Sequence, residues 1–362
     1  MNSPIPYFAI TGLLLLFAWG CVRLIPFYRQ QLTVSLPQHL AIDGLRGFLA
    51  LGVFFHHVVI TYYSQRSGVW AEAPSQFYTL TGHVAVSLFF MVTGFLFWEK
   101  AIVSNGKIAL KPYFKSRIRR IGPAYVMSLM LILLVLAVPL GNFGLQHLRI
   151  NDIGDALMFK GIRSVSDING VYWTLVWEWR FYLLLPLAAL FVKGHRAWVP
   201  AALTVIYVLY YPQKVLIINF IFGAGCAAIL HKLDMKRIFT SRWMAPIGLG
   251  LLAAVFVWFD RGYGIAQSLL LFGFFAAVAH GNSLFGLLTS APARLLGMIS
   301  YSVYLLHCIV LYASVHLLGR VVTVSALEPL AYWIWMAGIA VLVVVVALIN
   351  YRMVEHPFLN KR

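Results

Sequence analysis

Long apolar runs alternate with short polar segments along this chain of 362 residues. A run of about 20 apolar residues can cross the hydrocarbon core of a bilayer as a helix, so each run predicts a transmembrane span. The run at 198–211 is the shortest of them. The eleven candidate spans are 7–25, 42–63, 79–98, 121–140, 173–192, 198–211, 215–231, 244–259, 264–280, 295–318 and 329–350.

Two of the polar segments are unusual. The segment at 111–120 is strongly basic, and we expect it to be a loop that is followed by a span opening at Pro123. The segment at 141–172 is the longest on the opposite side of the predicted membrane, and it carries several aspartates. It is long enough to fold over the outer face of a helix bundle.

The composition favours helices in lipid over a soluble fold. Hydrophobic residues make up 61% and charged residues 11% of the chain, and the mean hydropathy is +0.84. In an ordinary globular domain, about 45–50% of the residues are hydrophobic and about 25% are charged. We therefore predict an all-α polytopic membrane protein, a bundle of about 11 transmembrane helices. Cys21, Cys226 and Cys308 lie in apolar runs, which favours packed side chains over a disulfide or a metal site.

The basic residues predict an orientation rather than a nucleic-acid partner. The net charge is +17, but the 28 Lys and Arg residues cluster between apolar runs. With residue 1 outside, 19 of them fall on the cytoplasmic side and 7 on the other, while Arg46 and Arg180 lie inside spans. This bias predicts an outer N-terminus and a cytoplasmic C-terminus in a plasma membrane, in a bacterium the inner one. The start, MNSPIPYF, lacks signal-peptide features, so we expect the first span to be retained.

Ionisable residues inside a span are costly and therefore functional candidates. Arg46 and His57 are eleven residues apart, so they share one face of the second span, about 16 Å apart along its axis. His56 points about 100° away from that face. Two interpretations remain open: a functional pair, or a snorkelling arginine with a packed histidine.

Glu178 in the fifth span is predicted to lie at a depth close to that of His57, where a carboxylate can orient an imidazole. The alternative is a structural ion pair of Glu178 with Arg180 or Arg46. In the tenth span, three polar residues recur at one-turn spacing: Tyr301, Tyr304 and His307. They either pack helices together or form part of a site.

Arg117 and Arg120 are one turn apart in the basic segment at 111–120. Guanidinium groups at this spacing match phosphate oxygens, so the two can clamp the phosphates of a ligand. A basic run at a membrane surface also serves as a topology signal or as an anchor to lipid phosphates. Both interpretations are kept.

Six motifs follow one another along the chain: DGLRG at 43–47 with His57, FFMVTGFL at 89–96, RIRRIGP at 117–123, WTLVWEWRFY at 173–182, ISYSVYLLH at 299–307 and VEHPF at 354–358. Their content and order resemble the arginine–ten–histidine motif and the later motifs of the acyltransferase 3 family of membrane enzymes. Thr93 and Thr174 stand where the family usually has Ser, and His356 where Arg is common. The resemblance covers about residues 40–360.

This resemblance implies a ten-helix acyltransferase 3 core at 41–362, preceded at 1–40 by an extra span and a cytoplasmic linker. It also implies transfer of an acyl group, commonly acetyl, from cytoplasmic acyl-CoA to a hydroxyl of an extracytoplasmic glycan, with no bound cofactor. On this chain, the resemblance implies that the donor phosphates bind at Arg46, Arg117 and Arg120.

The same resemblance makes His57, helped by Glu178 and Arg46, the general base on the acceptor hydroxyl or, alternatively, the carrier of the acyl group. Supporting residues are expected within its motifs: Asp43, Thr93, Tyr182, Tyr301, Tyr304 and His307. The expected partners are acyl-CoA, a hydroxyl acceptor and membrane lipids, with no nucleic acid and no metal.

Two other classes of protein are alternatives to an enzyme. A transporter of a sugar or an anion also places His, Glu and Arg inside the membrane, but no inverted repeat is evident. A purely structural membrane protein would not need His57 or Glu178 in lipid. Consumption of acetyl-CoA by the purified protein would separate the enzyme from both.

Overall fold

The structure is a computed structural model that describes residues 1–33, 39–138, 143–196, 198–233, 236–260 and 262–359. Every regular element in these ranges is helical, which confirms the all-α class. The α-helices, in chain order, are α1 (Ile5–Leu24), α2 (Pro26–Thr33), α3 (Leu40–Ser67), α4 (Gln76–Val103), α5 (Leu110–Ala137), α6 (Asn151–Leu157), α7 (Tyr172–Ala189), α8 (Trp198–Tyr210), α9 (Ile218–Lys232), α10 (Lys236–Phe239), α11 (Met244–Trp258), α12 (Ile265–Ala279), α13 (Ala291–Met298), α14 (Ser300–Leu318), α15 (Pro329–Asn350) and α16 (His356–Leu359).

Eight segments of the described chain are long and apolar enough to cross a membrane, and they contain α1, α3, α4, α5, α7, α9, α14 and α15. The predicted spans at 198–211, 244–259 and 264–280 correspond to α8, α11 and α12, which have 13, 15 and 15 residues. At 1.5 Å per residue these helices are about 20–23 Å long, shorter than a hydrocarbon core of about 30 Å. The structure confirms a multi-pass helical bundle but not the count of eleven spans.

Two predicted boundaries were wrong. The helix α5 begins at Leu110 and continues through Pro123, so the basic segment at 111–120 is helical rather than a loop. Membrane helices tolerate proline where a neighbouring helix packs closely, and α14 contacts α5 next to Pro123, where the Tyr301 hydroxyl donates to the Ile121 carbonyl at 3.1 Å. The predicted span at 295–318 is divided into α13 and α14 by a break at Ile299 (φ −91°, ψ 4°).

The helices α3 and α4 form the centre of the bundle, since most of their side chains are buried. α3 packs on α4, α13 and α14, and α4 packs on α9. The helix α3 lies very close to α13 and to the turn before it. A Cβ atom on Gly44 would lie 1.8 Å from the carbonyl oxygen of Leu288 in that turn, and one on Gly297 of α13 would lie 1.7 Å from that of Asp43. Glycine is therefore required at both positions, and this contact positions the start of α3 against the segment that leads into α14.

The outer segment at 143–171 is tied to the bundle by hydrogen bonds. The Tyr125 hydroxyl of α5 donates to the Ala156 carbonyl at 2.8 Å, and the Asn169 amide donates to the Leu305 carbonyl of α14 at 2.8 Å. Burial acts to raise the pKa of Asp152, but hydrogen bonds from Ser164 and from backbone amides hold it below its ordinary value. The segment thus has a defined conformation against α5 and α14.

The N-terminal helix α1 packs against α13 and α15, and its Leu14 and Ala18 side chains are fully buried. The extra span is therefore part of the same bundle. Residues 34–38 of the predicted linker lie outside the described residues, as do Arg261, Lys361 and Arg362 of the charge count. The division into 1–40 and 41–362 stays a prediction.

Candidate active site

The helix α3 carries Asp43, Arg46 and His57 on one uninterrupted run of turns. It ends at Gly68, whose left-handed backbone (φ +71°) only glycine adopts without strain. Because no break intervenes, the eleven-residue spacing keeps Arg46 and His57 on one face, as the sequence predicts. Asp43 lies almost one turn before Arg46, at the contact with α13.

His57 is paired with His307 of α14, which the sequence placed among the supporting residues without a partner. Nε2 of His307 lies 3.0 Å from Nδ1 of His57. Nδ1 of His307 lies 2.9 Å from the Val303 carbonyl oxygen, so that nitrogen carries the proton and donates it, which leaves the Nε2 lone pair of the neutral ring as an acceptor.

The protonation of His57 follows from its two neighbours. Its Nδ1 lies 3.0 Å from the Val53 carbonyl oxygen and faces the acceptor nitrogen of His307, so it carries the proton. The lone pair of neutral His57 is then on Nε2. An imidazole held in this tautomer is oriented as a general base or as a nucleophile.

His56 faces a different set of residues, as its position on the helix predicts. Its Nδ1 bonds the Tyr78 carbonyl at 3.0 Å, and its ring lies 5.9 Å from that of His83. His83 accepts the Gly262 amide on Nδ1 at 3.1 Å and contacts the Glu72 carboxylate through Nε2 at 3.1 Å. The sequence analysis missed this Glu72–His83 pair. His83 lies inside an apolar run, as His57 does, so the same signal could have identified it.

A cavity of about 180 Å³ opens on the Arg46 side of the histidine pair. It is formed mainly by α3, α4, α5, α7 and α14. Eight of the predicted site residues line it: Arg46, Thr93, Arg117, Arg120, Glu178, Tyr182, Tyr301 and Tyr304. We call it the inner cavity, since the predicted orientation places these arginines toward the cytoplasm.

Glu178 does not contact His57, contrary to the expected orienting contact. Its carboxylate accepts a hydrogen bond from the Tyr182 hydroxyl one turn later and faces the inner cavity with Arg46. Depth along a span does not determine which neighbouring helix a side chain meets, and that is why the expectation failed. Arg180 is exposed over the Trp177 ring at 4.4 Å, so it does not pair with Glu178.

The two arginines of α5 have different environments. Arg120 forms an ion pair with the buried Glu355 carboxylate at 3.0 Å, and Ser302 donates to that carboxylate as well. The guanidinium of Arg117 lies 4.7 Å from the Phe97 ring centroid, and no carboxylate of the described chain lies within ion-pair distance of it. The sequence analysis missed Glu355 as the partner of Arg120, because its motif lies more than 200 residues away.

Tyr304 connects the inner cavity with the histidine pair. Its hydroxyl lies 2.6 Å from the Thr174 hydroxyl, and both residues line the cavity. Its ring centroid is 6.2 Å from that of His307. The pair therefore lies directly beyond one wall of the inner cavity.

A second cavity, of about 150 Å³, lies on the other side of the pair. Trp70 and Thr61 line it, and both contact His57: the Trp70 ring stacks on the imidazole at 6.2 Å, with the planes 16° apart, and the Thr61 hydroxyl donates to the His57 carbonyl at 2.8 Å. Cys308, next to His307, lines it too. We call it the outer cavity.

His57, His307 and Cys308 present three potential metal-ligand atoms within 4.8 Å of one another. The hydrogen bond between the two rings, however, uses the Nδ1 and Nε2 atoms that face the space between them. We therefore interpret this group as an imidazole pair with an adjacent thiol.

The helical bundle, the histidine pair and the basic cavity define a multi-pass membrane protein with an intramembrane site. Residues 39–352 match the acyltransferase domain of the acyltransferase 3 family, and the chain belongs to that family. It is 25% identical over 380 residues to the O-acetyltransferase OatA of Staphylococcus aureus strain NCTC 8325, an alignment that covers 90% of this chain and 58% of OatA.

The putative peptidoglycan O-acetyltransferase YrhL of Bacillus subtilis strain 168 is 24% identical over 358 residues, covering 80% of this chain and 53% of YrhL. The chain thus spans little more than half the length of these relatives. No solved structure is significantly similar to it.

Proposed function

We propose that this protein is a membrane O-acyltransferase that moves an acyl group, most simply acetyl, from acyl-CoA to a hydroxyl of a glycan on the other side of the membrane. The observation that carries the proposal is the position of the His57–His307 pair between a basic inner cavity and a second, outer cavity. Family membership and the names of the two relatives support acyl transfer to a hydroxyl of this kind.

The donor fits the inner cavity by charge. Acyl-CoA carries several phosphates, and the cavity is lined by Arg46, Arg117 and Arg120. The pantetheine arm is narrow and polar enough to pass the tyrosines and Thr174 toward His307. The thioester then reaches the histidine pair from the inner side, with no bound cofactor required.

The acceptor hydroxyl meets Nε2 of His57. In direct transfer, Nε2 takes the hydroxyl proton as the oxygen attacks the thioester carbon; the new C–O bond forms, the C–S bond breaks, and the proton passes to the CoA thiolate. In the two-step route, the Nε2 lone pair attacks the thioester carbon and the C–S bond breaks, which releases the CoA thiolate. The acceptor hydroxyl then attacks the acyl carbon, the C–N bond breaks, and the hydroxyl proton passes to the thiolate. Both routes need His57 unprotonated on Nε2, as its hydrogen bonds arrange.

The transporter alternative is not favoured. Arg46, Glu178 and the tyrosines line a small cavity with the histidine pair beyond one wall, and all six family motifs occur in the chain. We place the protein in the plasma membrane, the inner membrane of a bacterium, with the N-terminus outside and the C-terminus inside, on the strength of its charge bias.

Purified protein in detergent, supplied with radiolabelled acetyl-CoA and chitotriose, tests the proposal. We expect acetylated chitotriose from the wild type, and a loss of about 10²–10⁴-fold in His57→Ala, the usual contribution of a general base. His56→Ala is the matched control and should stay within about tenfold of the wild type, because His56 faces Tyr78 and His83. Wild-type turnover in a folded His57→Ala protein would contradict the assignment.

A further inference from the structure

The outer cavity has a lining suited to a neutral, polar ligand. Its wall is formed by the end of α3, the turn that follows, the outer segment and α14. No Lys or Arg is among the described residues that line it. The polar and aromatic residues in its lining include Ser64, Gln65, Trp70, Asp167, Tyr312 and His316.

The inner and outer cavities therefore differ sharply in charge. Three arginines line the inner one, whereas the outer one has a single carboxylate, Asp167, and one imidazole, His316, beside amide and hydroxyl groups. Of these two cavities, the inner one matches a phosphate-rich donor. A ligand with many hydroxyls and little charge matches the outer one, because carboxylate and amide oxygens accept hydrogen bonds from hydroxyl groups.

Trp70 gives the outer cavity a flat apolar surface next to the reactive histidine. Its side chain is 38% exposed, so one part remains open while the ring stacks on His57. The apolar C–H face of a pyranose packs on an indole ring, and its hydroxyls then point sideways to polar groups. Aromatic surface with a few convergent polar groups is the usual make-up of a small-molecule site.

We infer that the outer cavity is the acceptor subsite and binds a neutral saccharide, with Trp70 as its stacking platform and with Asp167 and Gln65 as hydrogen-bond acceptors for its hydroxyls. This inference rests on the proposed function, since it assigns the acceptor of the same transfer reaction.

Two measurements on the purified protein test this subsite. The first is binding of radiolabelled chitotriose, maltotriose and mannotriose, without donor, to the wild type, Trp70→Ala and Asp167→Asn. The second is the steady-state KM for the acceptor and for acetyl-CoA. In both variants we expect the dissociation constant and the acceptor KM to rise at least fivefold, while the KM for acetyl-CoA stays within twofold. Trp70→Phe keeps an aromatic surface and should recover part of the affinity.

Trp335→Ala is the matched control, because Trp335 is an exposed tryptophan of α15 that lines neither cavity and lies in none of the six motifs. Unchanged saccharide binding in Trp70→Ala and Asp167→Asn, or no binding of any of the three saccharides to the wild type, would overturn the subsite. Saccharide binding that depends on Trp70 in a wild type that transfers no acetyl group would support the subsite and refute the proposed acyl transfer.

Discussion

At the scale of single residues, a chain of two hydrogen bonds holds the His57 imidazole in one tautomer. The Val303 carbonyl determines which nitrogen of His307 is protonated, and His307 in turn presents an acceptor to His57. In many histidine sites a carboxylate performs this orienting role, and Glu178 was expected to do so here. A neutral imidazole does it without placing a further charge in the membrane, where charge is costly.

The two arginines of α5 should differ when they are removed. Arg117→Ala loses a charge-assisted contact to a donor phosphate, worth about 1.5–3 kcal/mol, so the KM for acetyl-CoA should rise about tenfold or more with little loss of stability. Arg120→Ala also leaves the Glu355 carboxylate buried without its cation, which costs about 3–5 kcal/mol of stability. Donor titrations and thermal unfolding in detergent measure the two effects separately.

A double variant is the control for this contrast. Glu355→Gln removes the buried charge, so Arg120→Ala combined with Glu355→Gln should unfold at a higher temperature than Arg120→Ala alone. Equal melting temperatures for Arg117→Ala and Arg120→Ala would refute the structural role given to the ion pair. An unchanged donor KM in Arg117→Ala would show that this residue is a topology signal rather than a donor contact.

How far a residue's role can be predicted depends on whether its partner is local. The common face of Arg46 and His57 follows from helix geometry within α3, and the structure reproduces it. The His57–His307 and Arg120–Glu355 contacts join residues 250 and 235 positions apart. No periodicity carries that information, because it depends on which helices pack together.

At the scale of helices, apolar runs identify where helices occur more reliably than where they begin. Each predicted span coincides with a helix, since a run of apolar residues in lipid has few alternatives to helical hydrogen bonding. The start of α5 was missed because its first turns are basic, so the hydropathy of this part of the helix is too low to mark a span. The break at Ile299 was missed because the residues around it are apolar on both sides.

The crossing of α3 and α13 should be the least tolerant helix contact near the site. Gly44→Ala would place a methyl group 1.8 Å from the Leu288 carbonyl oxygen, so the two backbones must separate. We expect a loss of about 1–3 kcal/mol, as for overpacked cores, and a lower turnover because Arg46 moves with α3. Thermal unfolding and acetyl transfer measure both.

Gly338→Ala provides the control for Gly44→Ala. Gly338 lies within α15, and a Cβ atom there would meet nothing within 4 Å. Alanine has the higher helix propensity, so this variant should be neutral or slightly more stable. A Gly44→Ala protein that unfolds and turns over like the wild type would show that the two helices can separate at no cost.

At the scale of the whole molecule, the basic residues of the loops and those of the site lie on the same predicted side of the membrane. The bias of 19 to 7 basic residues, counted with eleven alternating spans, predicts which side of the bundle faces the cytoplasm. Arg46, Arg117 and Arg120 lie in the inner cavity, while Asp167 lies in the outer one. The two substrates should therefore enter from opposite sides and meet at the histidine pair between the cavities.

Sealed inside-out vesicles test this directionality, because their cytoplasmic face is outward. Acetyl-CoA carries too much charge to cross a bilayer unaided, so radiolabelled acetyl-CoA added outside can reach the protein only at that face. We expect acetylation of chitotriose enclosed in the lumen. Right-side-out vesicles given the same external donor should acetylate neither internal nor external chitotriose until detergent opens them. If inside-out vesicles acetylate only chitotriose on the donor side, transfer across the bilayer is refuted while acyl transfer itself stands, and both cavities must then open to the cytoplasm.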